Sequence, residues 1–129
     1  MALIANMRQC ATADSISAFG TPTVVHLVSA FLVSTIMSIP WRSLFPVSIA
    51  LAMCGFVGFA YGARVIRRAR RQTHYKPEWE DWLWYVLLPC SVYAALMITA
   101  LFLQTSSLVA LFLIGATALA LLLIGIHNA

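Results

Sequence analysis

The sequence predicts an all-α integral membrane protein: a four-helix bundle made of two antiparallel transmembrane hairpins joined by a cytoplasmic helical elbow. Three observations predict it. Hydrophobic residues make up 62% of the chain and charged residues only 9%, whereas soluble domains run at roughly half and a quarter. The apolar residues fall into four runs close to the ~20 residues that a hydrocarbon core of about 30 Å requires. Most of the charge is gathered into one connection, residues 64–81. A single transmembrane domain is therefore expected to cover residues 1–129.

The first run spans about residues 22–39. Thr21 suits a helix N-cap, Pro22 the first helical position, and Pro40, which has no N–H to give, should stop the helix. Trp41 follows where an interfacial aromatic belongs. No small-x-small cleavage pattern ends this run, so it is expected to remain as a helix rather than to be removed as a signal peptide. The second run, about 46–63, opens on Pro46 and gives way to the basic stretch at Arg64. The third, about 82–103, is introduced by "KPEWEDWLWY". There Pro77 suits a first turn, and Glu78, Glu80 and Asp81 complement the positive end of the helix dipole. Trp79, Trp82, Trp84 and Tyr85 ring that turn as an aromatic collar at the headgroup level. The fourth run covers about 107–126. The connections 40–45 and 104–106 are short, which predicts the two antiparallel hairpins.

Charge sets the orientation. Four spans put the N-terminus, the loop 64–81 and the C-terminus on one face. That face carries Arg8, Arg64, Arg67, Arg68, Arg70, Arg71 and Lys76, against Arg42 alone on the other. The excess of Lys and Arg marks the cytoplasmic side, so a multi-pass protein of the cell membrane with both termini cytoplasmic is expected. The net charge of +4 is explained by this bias, and no nucleic-acid partner is expected.

Four sets of residues are candidates for function. Arg64, Arg67, Arg68 and Arg71 are spaced i, i+3, i+4, i+7, so a continuation of the second helix would align them as a cationic stripe for anionic lipid or an acidic partner. The alternative is topology anchoring, with some of the charges paired to Glu78, Glu80 and Asp81. His26, Tyr61, Pro89 and Tyr93 could line or gate a pathway. His26 is an ionisable group within a span, and Pro89 leaves the Tyr85 carbonyl without its usual partner and should kink the third helix. At its shallow depth His26 could equally reach headgroup water or bond Ser29. Gly55, Gly58 and Gly62 continue a series of small residues from Ser48 and Ala52, ending in the literal G-x-x-x-G of "GFAYG", and are expected to pack helices closely. Ala110, Gly115, Ala118 and Gly125 form a looser series. Finally His26, His74 and His127 share a membrane face, but no pair has the i, i+4 spacing of a preformed metal site. Cys10, Cys54 and Cys90 have no C-x-x-C spacing. No metal site, cofactor or disulfide framework is expected.

The chain contains no G-x-S-x-G, H-E-x-x-H or Gly-rich phosphate loop, and no acid in mid-span. The expected function is accordingly non-enzymatic: a small accessory or scaffold subunit in the lipid bilayer, contacting anionic lipids, that forms a homo-oligomer or joins a larger membrane complex. A small channel or carrier is the first alternative. A haem- or quinone-binding subunit built near His26 is the second, with His127 as the reasonable second axial ligand for haem.

Overall fold

The computed structural model describes residues 22–71 and 78–129. Among these it is all-helical, with four helices: α1 (Pro22–Ser38), α2 (Leu44–Arg71), α3 (Trp79–Phe102) and α4 (Ser107–His127). Three of them, α2, α3 and α4, are long and apolar enough to cross a membrane. α1 has 17 residues, about 25 Å at 1.5 Å per residue, which is the lower limit of spanning length. The Thr21 cap, the Pro77 first turn, and Arg8, Cys10, Asp14, His74 and Lys76 lie outside the described residues.

α1 ends one residue earlier than the apolar run, for a reason Pro40 supplies. In a continuing helix the Ile36 carbonyl would accept from residue 40, and proline has no proton to donate. The Trp41 indole takes that place, with Nε1 donating to the Ile36 carbonyl at 2.7 Å. The tryptophan expected at the interface thus also closes the helix.

α2 starts two residues before Pro46, which is unobjectionable because the N–H groups of a first turn have no intrahelical partner. It then runs without a break through the arginines to Arg71, for 28 residues, or about 42 Å. That is some 12 Å more than a hydrocarbon core of about 30 Å, and the excess is the last two turns, residues 64–71.

α3 opens with a capping box in which Glu78 and Asp81 serve each other's backbone. The Glu78 N–H donates to Asp81 Oδ2 at 3.3 Å. At Leu83–Leu87 the helix widens into a π turn, with the Leu88 N–H donating to the Leu83 carbonyl, and Pro89 follows directly. The proline was expected to leave a carbonyl orphaned, and the irregularity falls in the turn before it, where wide turns absorb such a mismatch. A side chain from the end of α4 reaches this turn: Asn128 Nδ2 donates to the Trp84 carbonyl at 3.4 Å.

Both pairs joined by short connections are in contact, but the most extensive packing is between other pairs. α2 packs most extensively on α3 and α1 on α4; α3 and α4 come next, and α1 and α2 touch less than any of these despite their short link. Glycines explain the first preference. A Cβ on Gly55 would lie 2.9 Å from both the Met97 nitrogen and the Tyr93 carbonyl oxygen, and one on Gly62 would lie 2.7 Å from Cys90 Sγ. One on Gly58 would enter the Tyr93 ring. On the other side, a Cβ on Gly125 would lie 2.8 Å from Leu27 Cδ2, so α4 approaches α1 through a glycine too. Val33, Leu51, Leu96, Ala100 and Ile114 lie in the larger core cluster, towards the tight turns, and Ala30, Tyr93 and Leu121 form a second one. Between helices, buried Ser48 donates its hydroxyl to the Ala100 carbonyl, a polar tie in the larger cluster.

Candidate functional site

Two regions concentrate the polar chemistry of the described residues. The first is buried. His26 is 2% exposed and Tyr93 wholly buried. His26 Nδ1 lies 3.0 Å from the Tyr93 hydroxyl, which donates to Ser29 Oγ at 3.0 Å. The imidazole was expected to reach headgroup water or Ser29 directly; instead Tyr93 stands between His26 and Ser29 as a relay. The Tyr93 hydroxyl can donate one proton and accept others, so it bridges the imidazole Nδ1 and the Ser29 hydroxyl. His26 Nε2 is buried and has no hydrogen-bond partner, as is Asn128 Oδ1.

Tyr93 owes its place to α2 as much as to α1. Its ring lies against Gly58, where any side chain would exclude it, and its hydroxyl reaches across to α1. Pro89, one turn earlier, is buried as well. Of the four pathway candidates the structure therefore joins His26 and Tyr93 by a hydrogen bond and puts Pro89 just below them. Tyr61 lines the α1–α2 groove with Ser29 and Gly58 and also the concavity of the arginines.

His127 does not share the buried position of His26. It is exposed and stacks on Trp84, with ring centroids 3.6 Å apart and planes 21° from parallel. The stack ties the end of α4 to the start of α3, and Thr23 Oγ1 donates to the Asn128 carbonyl at 2.7 Å, tying it to α1. Among the described residues no group of three or more His, Cys, Asp and Glu is placed to hold a metal ion.

The second region is the end of α2. Arg64, Arg67, Arg68 and Arg71 are exposed and, with Tyr61 and Val65, line a concavity of about 350 Å³. Of the three acids expected as alternative partners, Glu78 and Asp81 are engaged at the start of α3. Five guanidinium groups within eight residues, counting Arg70, leave this end of the molecule strongly cationic.

Apolar surface separates these regions. The weakly packed seam of α1 and α2 holds a groove of about 480 Å³, lined by residues that include Val25, Ser29, Met53, Val57 and Tyr61. A wider groove of about 760 Å³ lies between α1 and α4, between Phe31 and Ser34 on one side and Gly115 and Ala118 on the other. A Cβ on Gly115 would meet nothing within 4 Å. Gly55, Gly58 and Gly62 thus meet α3 within the chain, and Gly115 faces open space.

Sequence reasoning missed the Tyr93 relay, the Trp84–His127 stack and the role of Asn128. One signal was available: Tyr93 is the polar aromatic at mid-helix opposite a glycine-lined α2. The pairing of distant helix ends left none. No protein-family model, curated protein or solved structure matches this chain.

Proposed function

We propose that the chain is a multi-pass protein of the cell membrane, a four-helix bundle with both termini and the α2–α3 connection cytoplasmic. In this reading it acts as a non-enzymatic accessory or scaffold subunit that self-associates or joins a larger membrane complex. The observation that carries it is the division of surfaces. The Tyr93 and Ser48 hydroxyls of the interior bond within the chain. Large apolar ones stand outside, with Phe31 at 74%, Leu108 at 80% and Phe112 at 84% exposure. Water would not tolerate so continuous an apolar exterior; lipid or a protein partner would. α1, at the lower limit of spanning length, fits the same layer, and Arg64 to Arg71 supply the cytoplasmic positive charge.

The test is purification from native-level expression into lipid nanodiscs, with the particle mass and its companions measured. A homo-oligomer or a stoichiometric membrane partner is expected. A strictly monomeric particle with no companion would refute the scaffold role. Single-cysteine labelling at the α1–α2 connection, protected in right-side-out cells, would refute the orientation.

One observation favours the channel or carrier reading: the buried His26 Nε2 without a partner. Flux through reconstituted vesicles that is unchanged by both His26→Ala and Pro89→Ala ends that alternative.

A further inference from the structure

One face of α2 changes character at a single residue. Met53, Cys54, Val57, Gly58 and Tyr61 follow one another at helical intervals, and Arg64, Val65, Arg68 and Arg71 continue the same stripe. The apolar half forms one wall of the α1–α2 groove and the cationic half forms the concavity above it; Tyr61 lines both. Groove and basin therefore meet at the Tyr61 ring.

We propose that this composite surface is a binding site for one anionic phospholipid. An acyl chain lies in the α1–α2 groove, and the phosphate-bearing headgroup rests on Arg64, Arg68 and Arg71. The site rests on the membrane reading above and adds to it a specific ligand. Its dimensions match. From Ala50, at the deep end of the groove, to Tyr61 is eleven residues, about 16 Å along the axis, and half of a 30 Å hydrocarbon core is about 15 Å. The groove thus has the depth of one leaflet, and the arginines begin one turn above it, at headgroup height. The groove volume of about 480 Å³ falls within the roughly 300–1,000 Å³ of specific ligand sites.

The chemistry matches as well. The guanidinium fork binds two phosphate oxygens at once and stays charged beside lipid. The four arginines are exposed, and Glu78 and Asp81 form the capping box of α3. The seam is open because α1 and α2 touch least of the adjacent helices. Orientation by positive charge requires a number of arginines on one side, whereas a lipid site requires them on the face that carries the groove, which is where they are. A soluble phosphate would share the headgroup chemistry but would have no use for the groove.

The test uses the purified full-length chain in a non-ionic detergent, with bound lipid counted by native mass spectrometry. Three probes are compared: a dioleoyl phosphatidylglycerol, the phosphatidylcholine with the same chains, and inorganic phosphate. Retention of one phosphatidylglycerol per chain is expected, with phosphatidylcholine bound at least about tenfold more weakly and no competition from phosphate. Arg64→Gln together with Arg68→Gln should weaken retention by about 30-fold. Met53→Trp and Val57→Trp fill the groove from positions that are 57% and 61% exposed, so each should fold normally. Each should reduce phosphatidylglycerol retention about tenfold with every arginine intact. Groove-filling variants that hold the lipid as the wild type does would overturn the proposal in favour of a diffuse cationic surface. Equal binding of phosphatidylcholine, or displacement by inorganic phosphate, would overturn it too. Resistance of the same variants to alkaline extraction from membranes is scored in parallel. Loss of that resistance by the wild type refutes the membrane reading, whereas firm integration without lipid retention refutes the site alone.

Discussion

Gly58→Ala sets two physical effects against each other, and the structure decides the sign. Alanine in a helix interior is favoured over glycine by about 1 kcal/mol, so propensity alone predicts a more stable protein. At Gly58 the new methyl would occupy the Tyr93 ring. That ring is wholly buried and pinned through its hydroxyl to His26 and Ser29, so it cannot swing aside as the end of a flexible side chain would. Overpacking of a tight contact costs about 1–3 kcal/mol, and interhelical hydrogen bonds in membranes contribute about 0.6 kcal/mol each. Displacing the ring therefore outweighs the propensity gain, leaving a net destabilisation of about 2 kcal/mol. The assay is unfolding of the purified chain in mixed micelles by titration with sodium dodecyl sulfate, followed by helical circular dichroism. Gly115→Ala, which meets open space, is the control and should be neutral or up to about 1 kcal/mol more stable. In a Tyr93→Ala background the penalty at Gly58 should vanish, since a double-mutant cycle isolates the shared contact. A Gly58→Ala protein as stable as the wild type would refute this account, as would an undiminished penalty without the Tyr93 ring.

Tyr93→Phe keeps the ring and removes only the relay between His26 and Ser29; the buried His26 Nδ1 then loses its partner, and a loss of about 1–2 kcal/mol is expected in the same titration. Ser48→Ala removes the hydroxyl that α2 donates to the Ala100 carbonyl and should cost about 0.6 kcal/mol, up to about 1.7 at most. Trp84→Ala removes the stack with His127, worth about 0.5–1.5 kcal/mol; hydrogen exchange should rise at the last turn of α4 and leave the Ala110 end of that helix unchanged.

Much of the element structure was legible because it depends on local chemistry. Pro40 predicts the end of α1 to within a residue, since a proline's missing N–H acts where it stands. The periodic arginines announced that α2 would outrun its apolar segment, and Glu78 and Asp81 marked the start of α3. Short-range rules failed where two acceptable positions competed. Pro46 suits a first turn, but so does any residue of that turn, and α2 begins at Leu44. Pro89 pointed to an irregularity in α3, but whether the helix would kink or widen depended on what lay against it, and Asn128 from α4 meets the widened turn.

The candidate sites divide along the same line. The arginine face is a property of spacing along one helix and could be found without knowing any neighbour. The meaning of Gly55, Gly58 and Gly62 could not be settled that way, because a small-residue stripe fits a partner within the chain and a partner outside it equally well. Their placement against Met97, Tyr93 and Cys90 assigns them to α3. For His26 the expectation was a shallow group in reach of water or Ser29, and Tyr93, 67 residues away in sequence, turned it into a buried one.

By itself, then, the sequence determined the helical class, the apolar character of each helix and the cationic face of α2, because backbone hydrogen bonding, side-chain hydropathy and helical period are properties of neighbouring residues. Only the tertiary structure decided which helices touch. Connection length limits how far apart two helices can lie but does not make them pack. α1 lies against α4, and α2 against α3, because Gly125 on one side and Gly55, Gly58 and Gly62 on the other allow close approach that the α1–α2 seam lacks. That choice closes Tyr93 over His26 and leaves the α1–α2 groove open beneath the arginines.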